Sequence, residues 1–273
     1  MGTCNKKDIA IPLLAILLYS SIKVFSKKDD VPLTVPAWIC THLERMYQII
    51  NLNFYLNSYA HHGFYYLEGN SAVDGKRIFV KMDGTLGEAA SREAIMIRKL
   101  AASKGNIHFP RLIASEETGP LSFVALEWID GILLEKLLKL NIPISYQQKQ
   151  SLLKQLCTIL DTLHETQIIH RDIRPANIMV EIREEEWRLV LIDFAFSIGK
   201  DPNAFKELAF FLDRLELLKD LGGERYKPES YKWDDAYSVR EVACNIDQAC
   251  ELNFPEIWNH LNLMQDKLVH LGP

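Results

Sequence analysis

The run His170-Arg171-Asp172-Ile173-Arg174-Pro175-Ala176-Asn177 is followed, sixteen residues after Asn177, by Asp193 in Leu191-Ile192-Asp193-Phe194-Ala195. Between them, Ile178–Ile182 and Trp187–Ile192 read as two strands around the acidic turn Glu184-Glu185-Glu186. A hairpin of that length returns both its ends to one place. Asn177 and Asp193 are therefore expected to return to the same site.

These motifs resemble the catalytic loop H-R-D-x-x-x-x-N and the D-F-G of protein kinases. Four fixed letters at fixed spacing arise by chance at roughly one position in 10⁵. The resemblance covers roughly residues 60–240 and identifies a member of the protein kinase-like superfamily. It implies an α+β, bilobal fold with a small β-rich N-lobe and a truncated helical C-lobe. It also implies ATP and Mg²⁺, since phosphoryl transfer builds charge on the transferred group and needs cations to hold it. By the same resemblance, Asp172 accepts the proton of the acceptor hydroxyl, and Arg174 stands where Ser/Thr kinases usually carry a lysine, at the transferred phosphate. Asn177 and Asp193 supply hard oxygens for the metal. His170 and Arg171 look structural, the second meeting a charged group of the activation segment.

Upstream, Phe79-Val80-Lys81 resembles the V-A-I-K strand, with Lys81 on the α/β-phosphates and Glu93 as its partner; Glu88 precedes the Ser91 helix start and is the second choice. Leu126-Glu127-Trp128-Ile129-Asp130-Gly131 resembles the hinge, where backbone groups of Glu127 and Ile129 would hold adenine. Lys227-Pro228-Glu229 resembles A-P-E, and Asp235 is expected both to cap the following helix and to tie down the catalytic loop. The chain departs from the pattern twice. Asn57-Ser58-Tyr59-Ala60-His61-His62-Gly63 replaces the glycine-rich loop, with Ser58 or His61 as the candidate phosphate contacts, and Ala195 replaces the glycine of D-F-G.

Periodicity gives the rest. A helix-like spacing runs through Trp38, Leu43, Met46, Ile49 and Ile50. Strands at Phe64–Leu67 and Arg77–Lys81 flank the turn Val73-Asp74-Gly75-Lys76. A helix begins at Ser91, and two more strands cover Pro110–Ile113 and Ser122–Leu126. Helices are expected over Leu133–Leu140, Tyr146–Thr166, Ala204–Leu221, Ala236–Leu252 and Pro255–Leu271. The division is 1–28, a hydrophobic N-terminal segment; 37–126, the N-lobe; and 127–273, the C-lobe.

With 48% hydrophobic and 25% charged residues, the 273-residue chain can bury a core, which excludes disorder and a multi-span membrane protein. A net charge of −5 without a basic run argues against nucleic acid. The five cysteines form no C-x-x-C, so neither a disulfide framework nor a zinc site is expected. Residues 9–25 carry no charge apart from Lys23 and read as a membrane anchor or interfacial helix, a helix packed on the domain, or a cleaved signal peptide. Their flanking lysines favour a cytoplasmic catalytic region, held in the first case at the membrane's cytoplasmic face.

Only thirty-eight residues follow Asp235. That short tail looks more like the small kinase-like enzymes that phosphorylate sugars or glycolipids, such as lipopolysaccharide-core kinases. The leading expectation is therefore transfer from ATP to a hydroxyl of a saccharide or lipid-linked saccharide. A compact Ser/Thr protein kinase is the alternative, and a partner-binding pseudokinase the third reading.

Overall fold

The computed structural model describes residues 35, 37–55, 64–83, 88–117, 122–140, 142–183, 186–199, 207, 208, 211 and 214–272. The expectations for residues 9–25 and for the loop 57–63 lie outside the described residues. The fold is α+β and divides into two compact units. One holds the described residues up to Ser91 together with Leu112–Trp128; the other holds Arg92–Arg111 and everything from Ile129 onward.

The first unit is an antiparallel sheet of β1 (Ile49–Phe54), β2 (Phe64–Ser71), β3 (Arg77–Asp83), β4 (Leu112–Glu116) and β5 (Phe123–Glu127), in the order β1-β2-β3-β5-β4. Helix α1 (Ala37–Tyr47) buries Ile39 and Leu43 against Ile49, Leu67, Ile78, Val80, Phe123 and Ala125. The helical spacing expected through Ile50 breaks at Gln48, whose left-handed backbone (φ 57°) ends α1 and turns the chain into β1. Ile49 is then fully buried as a strand residue, while Trp38 and Met46 lie exposed. Burial of Ile49 on the sheet outweighs the few tenths of a kcal/mol that continued helix would gain there.

Helix α2 (Glu88–Ala101) starts three residues before the expected Ser91, so Glu88 sits in its first turn and not in a loop. The cap is remote in sequence: the Asp83 carboxylate, at the end of β3, accepts the N–H groups of Ala89 (2.9 Å) and Ala90 (3.1 Å).

In the second unit, α3 (Leu134–Lys139) leads to α4 (Tyr146–Glu165), which begins with a capping box of Ser145 and Gln148. Leu152, Leu153, Leu156, Ile159, Leu160 and Leu163 are buried along one stripe of α4. Each is worth about 1.5–3 kcal/mol of burial, against about 1 kcal/mol for the cap, so packing holds α4 in place. A three-stranded sheet joins β6 (Ile132–Leu133), β8 (Ile178–Arg183) and β9 (Glu186–Leu191). Gly131 opens β6, and a Cβ there would stand 2.7 Å from the Val180 carbonyl oxygen. The short strands β7 (Ile168–Ile169) and β10 (Ile198–Gly199) pair on either side of the catalytic motifs.

The carboxyl-terminal half differs from its periodicity. Within the expected Ala204–Leu221 helix, Phe211 is helical and Leu215–Asp220 forms α5, with the non-helical Arg214 between them. The expected Ala236–Leu252 helix splits into α6 (Asp235–Ile246) and α7 (Cys250–Asn253), because the Asp247 carboxylate takes the N–H of Ala249 (2.9 Å) and the Nδ2 of Asn253 (3.0 Å). Helix α8 (Pro255–Met264) stops short of Leu271. Residues Val269–Leu271 become β12 and pair with β11 (Lys232–Asp234), stacking His270 on the buried Trp233 ring at 5.5 Å.

Replacing Asp83 by alanine removes the cap of α2. Urea unfolding should show a loss of about 1 kcal/mol; an unchanged midpoint would exclude the cap.

Candidate active site

The site starts from two adjacent aspartates with separate tasks. Asp234, in extended backbone, folds its carboxylate over the first turn of α6 and accepts the N–H groups of Ala236 (2.9 Å) and Tyr237 (3.3 Å). Asp235 is already helical and points elsewhere. Its carboxylate takes the N–H of His170 (2.6 Å) and of Arg171 (3.2 Å). The two roles expected of Asp235 are therefore divided: Asp234 caps, and Asp235 holds the loop. Burial pushes the Asp235 carboxyl up to about 7, against those two N–H groups.

The held loop is tightly specified. Arg171 adopts left-handed backbone (φ 68°), a strained choice for a residue with a large side chain. The Asp172 N–H points to His170 Nδ1 at 3.3 Å, which makes Nδ1 the acceptor and leaves Nε2 to donate to the Ile192 carbonyl at 3.1 Å. The His170 ring also packs edge-on against Phe194, with centroids 4.6 Å apart.

Asp172 carries three neighbours on its carboxylate. Asn177 Nδ2 donates to Oδ2 at 2.6 Å, the Gly222 N–H donates to Oδ1 at 3.1 Å, and Arg174 Nε stands 3.2 Å from Oδ1. Gly222 has φ 88°, and a Cβ there would meet the Arg171 carbonyl oxygen at 2.9 Å, so only glycine fits without strain. Burial pushes Asp172 up to about 6; Arg174 opposes this, the Asp193 carboxylate adds to it, and the Asn177 and Gly222 bonds oppose it again. A group so poised can take up a proton near neutral pH.

The hairpin β8–β9 brings the metal candidates together. The Ile192 N–H donates to the Asn177 carbonyl at 2.9 Å, which sets Asp193 one residue away in left-handed backbone (φ 68°). Asn177 Nδ2 is committed to Asp172, donating also to its carbonyl oxygen at 2.9 Å, so Oδ1 is the atom that could meet a cation. Among the described residues no three His, Cys, Asp or Glu side chains gather into a metal cluster. Asn177 and Asp193 fit Mg²⁺, a cation that takes few protein oxygens and completes its shell with phosphate and water. Glu93, buried on α2, accepts the Phe194 N–H at 3.2 Å, next to Asp193.

Lys81 and Glu127 belong to the first unit. Lys81 is buried on β3, its Nζ 5.0 Å from the Phe64 ring centre. Glu127 closes β5 opposite Ile78, and the next N–H, of Trp128, donates to Arg77 at 3.2 Å. Strand alternation therefore aims the Glu127 backbone away from β3. Ile129 begins the second unit, its carbonyl accepting the Gly131 N–H at 3.1 Å. The structure thus gathers Glu93, Asp172, Arg174, Asn177 and Asp193 within the second unit, and places Lys81 and Glu127 on one sheet.

Sequence reading missed Gly222 and Glu207. The Gly222-Gly223 pair reads as a helix terminus, and nothing local ties it to a residue fifty positions earlier. Glu207 lies in a stretch whose spacing suggests helix, yet its carboxylate meets Arg171 through two bonds, of 2.7 and 3.0 Å.

A model of the protein kinase domain family matches residues 70–207, just over half of the chain, and the chain belongs to that family of phosphotransferases. It is similar to serine/threonine-protein kinase F of Synechocystis sp., 34% identical over 111 residues, covering 38% of this chain and 22% of that protein. It is also similar to serine/threonine-protein kinase PknA of Nostoc sp. (35% over 107 residues, 39% of this chain, 18% of that protein) and PknB of Mycobacterium leprae (30% over 93 residues, 32% and 15%). The matched stretch spans about a fifth or less of each relative's length.

These relatives correct the expected acceptor. The saccharide reading rested on the short stretch after Asp235, and the length of that stretch does not decide which hydroxyl is phosphorylated. The likeness to lipopolysaccharide-core kinases and the associated glycan role find no support among the relatives, which are named serine/threonine-protein kinases.

Arg174 holds the Asp172 pKa down. In Arg174→Met the acid limb of kcat/KM, which reports the free enzyme, should move to higher pH than in the wild type; a limb that stays or moves lower would contradict the pairing.

Proposed function

We propose that the chain is an ATP- and Mg²⁺-dependent serine/threonine protein kinase. The observation that carries the reading is the Asp172 carboxylate, fixed by Asn177, Gly222 and Arg174 with its pKa raised toward neutrality. The names of the relatives supply the acceptor class.

In this reading the hydroxyl oxygen of a serine or threonine in a protein attacks the γ-phosphorus of ATP as the bond to the β,γ-bridging oxygen breaks, and ADP leaves. Asp172 orients that hydroxyl and takes its proton. Arg174, on the same edge of the carboxylate, offers a planar cation to the moving phosphoryl oxygens. Asn177 and Asp193 hold the cation, which when bound neutralises phosphate charge. Lys81 and Glu93 serve the α- and β-phosphates, and the Glu127 and Ile129 backbone serves adenine. A need for ATP favours a cytoplasmic location for this chemistry.

The test is transfer from γ-labelled ATP with Mg²⁺ to a generic protein substrate, followed by phosphoamino-acid analysis. Label on serine or threonine is expected. Asp172→Asn should lose at least about a hundredfold in rate while nucleotide still raises the melting temperature. Asp193→Asn should lose that Mg²⁺-dependent rise. Equal labelling by wild type and Asp172→Asn would sink the proposal.

A further inference from the structure

Arg171 is a fully enclosed charge of the second unit that makes no contact with the Asp172 carboxylate. Its side chain is 0% exposed. The guanidinium donates to the Phe196 carbonyl at 2.7 Å and to both oxygens of Glu207, at 2.7 and 3.0 Å. It lies 5.2 Å from the centre of the Trp233 ring. The indole N–H of Trp233 in turn donates to the Leu221 carbonyl at 2.9 Å, and the next residue, Gly222, donates its N–H to Asp172. A continuous path of contacts therefore runs from Glu207 through Arg171 and Trp233 to the carboxylate that receives the acceptor.

In a kinase whose activation segment is switched by phosphorylation, the new phosphate orders the segment by pairing with arginine. This chain has little to phosphorylate there. Between Phe194 and Pro228 the hydroxyl-bearing residues are Ser197 and Tyr226. Ser197 is fully buried, its hydroxyl 3.4 Å from the His170 carbonyl, and the Tyr226 hydroxyl accepts the Asn245 Nδ2 at 3.1 Å. The fork-on-fork pair of Arg171 with Glu207 already supplies the anion that such a phosphate would bring.

We infer that Glu207 is a positioning residue that stands in for an activating phosphate, so that the Asp172 site is competent as translated and does not depend on phosphorylation of residues 194–228. The inference rests on the kinase reading above. Glu207 neutralises Arg171, keeps its strained backbone in place and fixes the Leu221-Gly222 turn over Asp172.

The experiment uses the full chain, treated with a broad-specificity phosphatase and checked by mass spectrometry, in the labelled-ATP assay. The dephosphorylated wild type is expected to keep its kcat. Glu207→Gln should lose about 10- to 100-fold in kcat, the usual effect of losing a supporting partner, with KM for ATP within about twofold. Because Glu207 acts through Arg171, the double variant Arg171→Gln/Glu207→Gln should be no slower than Arg171→Gln alone. Loss of activity on dephosphorylation, regained on rephosphorylation, overturns the inference and leaves the kinase reading standing. So does a Glu207→Gln enzyme as fast as wild type, or a double variant whose losses multiply. A wild type that binds nucleotide but transfers phosphate in no form overturns both. Should Glu207→Gln fail to fold, the phosphatase arm on the wild-type chain decides alone.

Discussion

The grip of one buried carboxylate on two backbone N–H groups organises the second unit. Asp235 accepts from His170 and Arg171 and so fixes the start of the catalytic loop to the first turn of α6. Everything downstream inherits that position. His170 can then reach the Ile192 carbonyl and pack on Phe194, Asn177 can turn back onto Asp172, and the β8–β9 hairpin can return Asp193 beside them. Loss of such a buried anchor would leave two N–H groups without acceptors, a cost of about 1–3 kcal/mol for each.

The first unit solves a different problem. Its sheet must hold Lys81 and the end of β5 rigidly while α2 departs at the end of β3. Asp83 does this by closing over the helix start from two residues beyond Lys81. The same strand thus carries the lysine and sets where the helix bearing Glu93 begins. Trp128, between Arg77 (3.6 Å) and Tyr55 (5.2 Å), similarly stiffens the end of β5 next to Glu127.

How much of this was legible follows from the range of each interaction. The loop His170–Asn177, Asp193, and the strands around Lys81 are written in contiguous residues with strong local patterns, so the α+β kinase fold and the family could be read directly. The boundary of α1, the early start of α2 and the strand at Val269–Leu271 could not, because each is decided by a partner distant in sequence: the sheet under Ile49, Asp83 under Ala89, and Trp233 under His270. Glu207 and Gly222 were hidden for the same reason. The acceptor was misread because the length of the tail was given weight that only a relative could supply.

The contact from Gly222 to Asp172 comes from the main chain. Short of proline, no side-chain change deletes a donor of that kind, and its direction is set by the turn that carries it. Heritable variation around it is therefore all or none. Neighbours that preserve the turn leave the Asp172 carboxylate untouched, whereas the step from glycine to a residue with a Cβ meets both the Arg171 carbonyl and a strained backbone angle at once. The main-chain support of Asp172 therefore has no graded intermediates at that position.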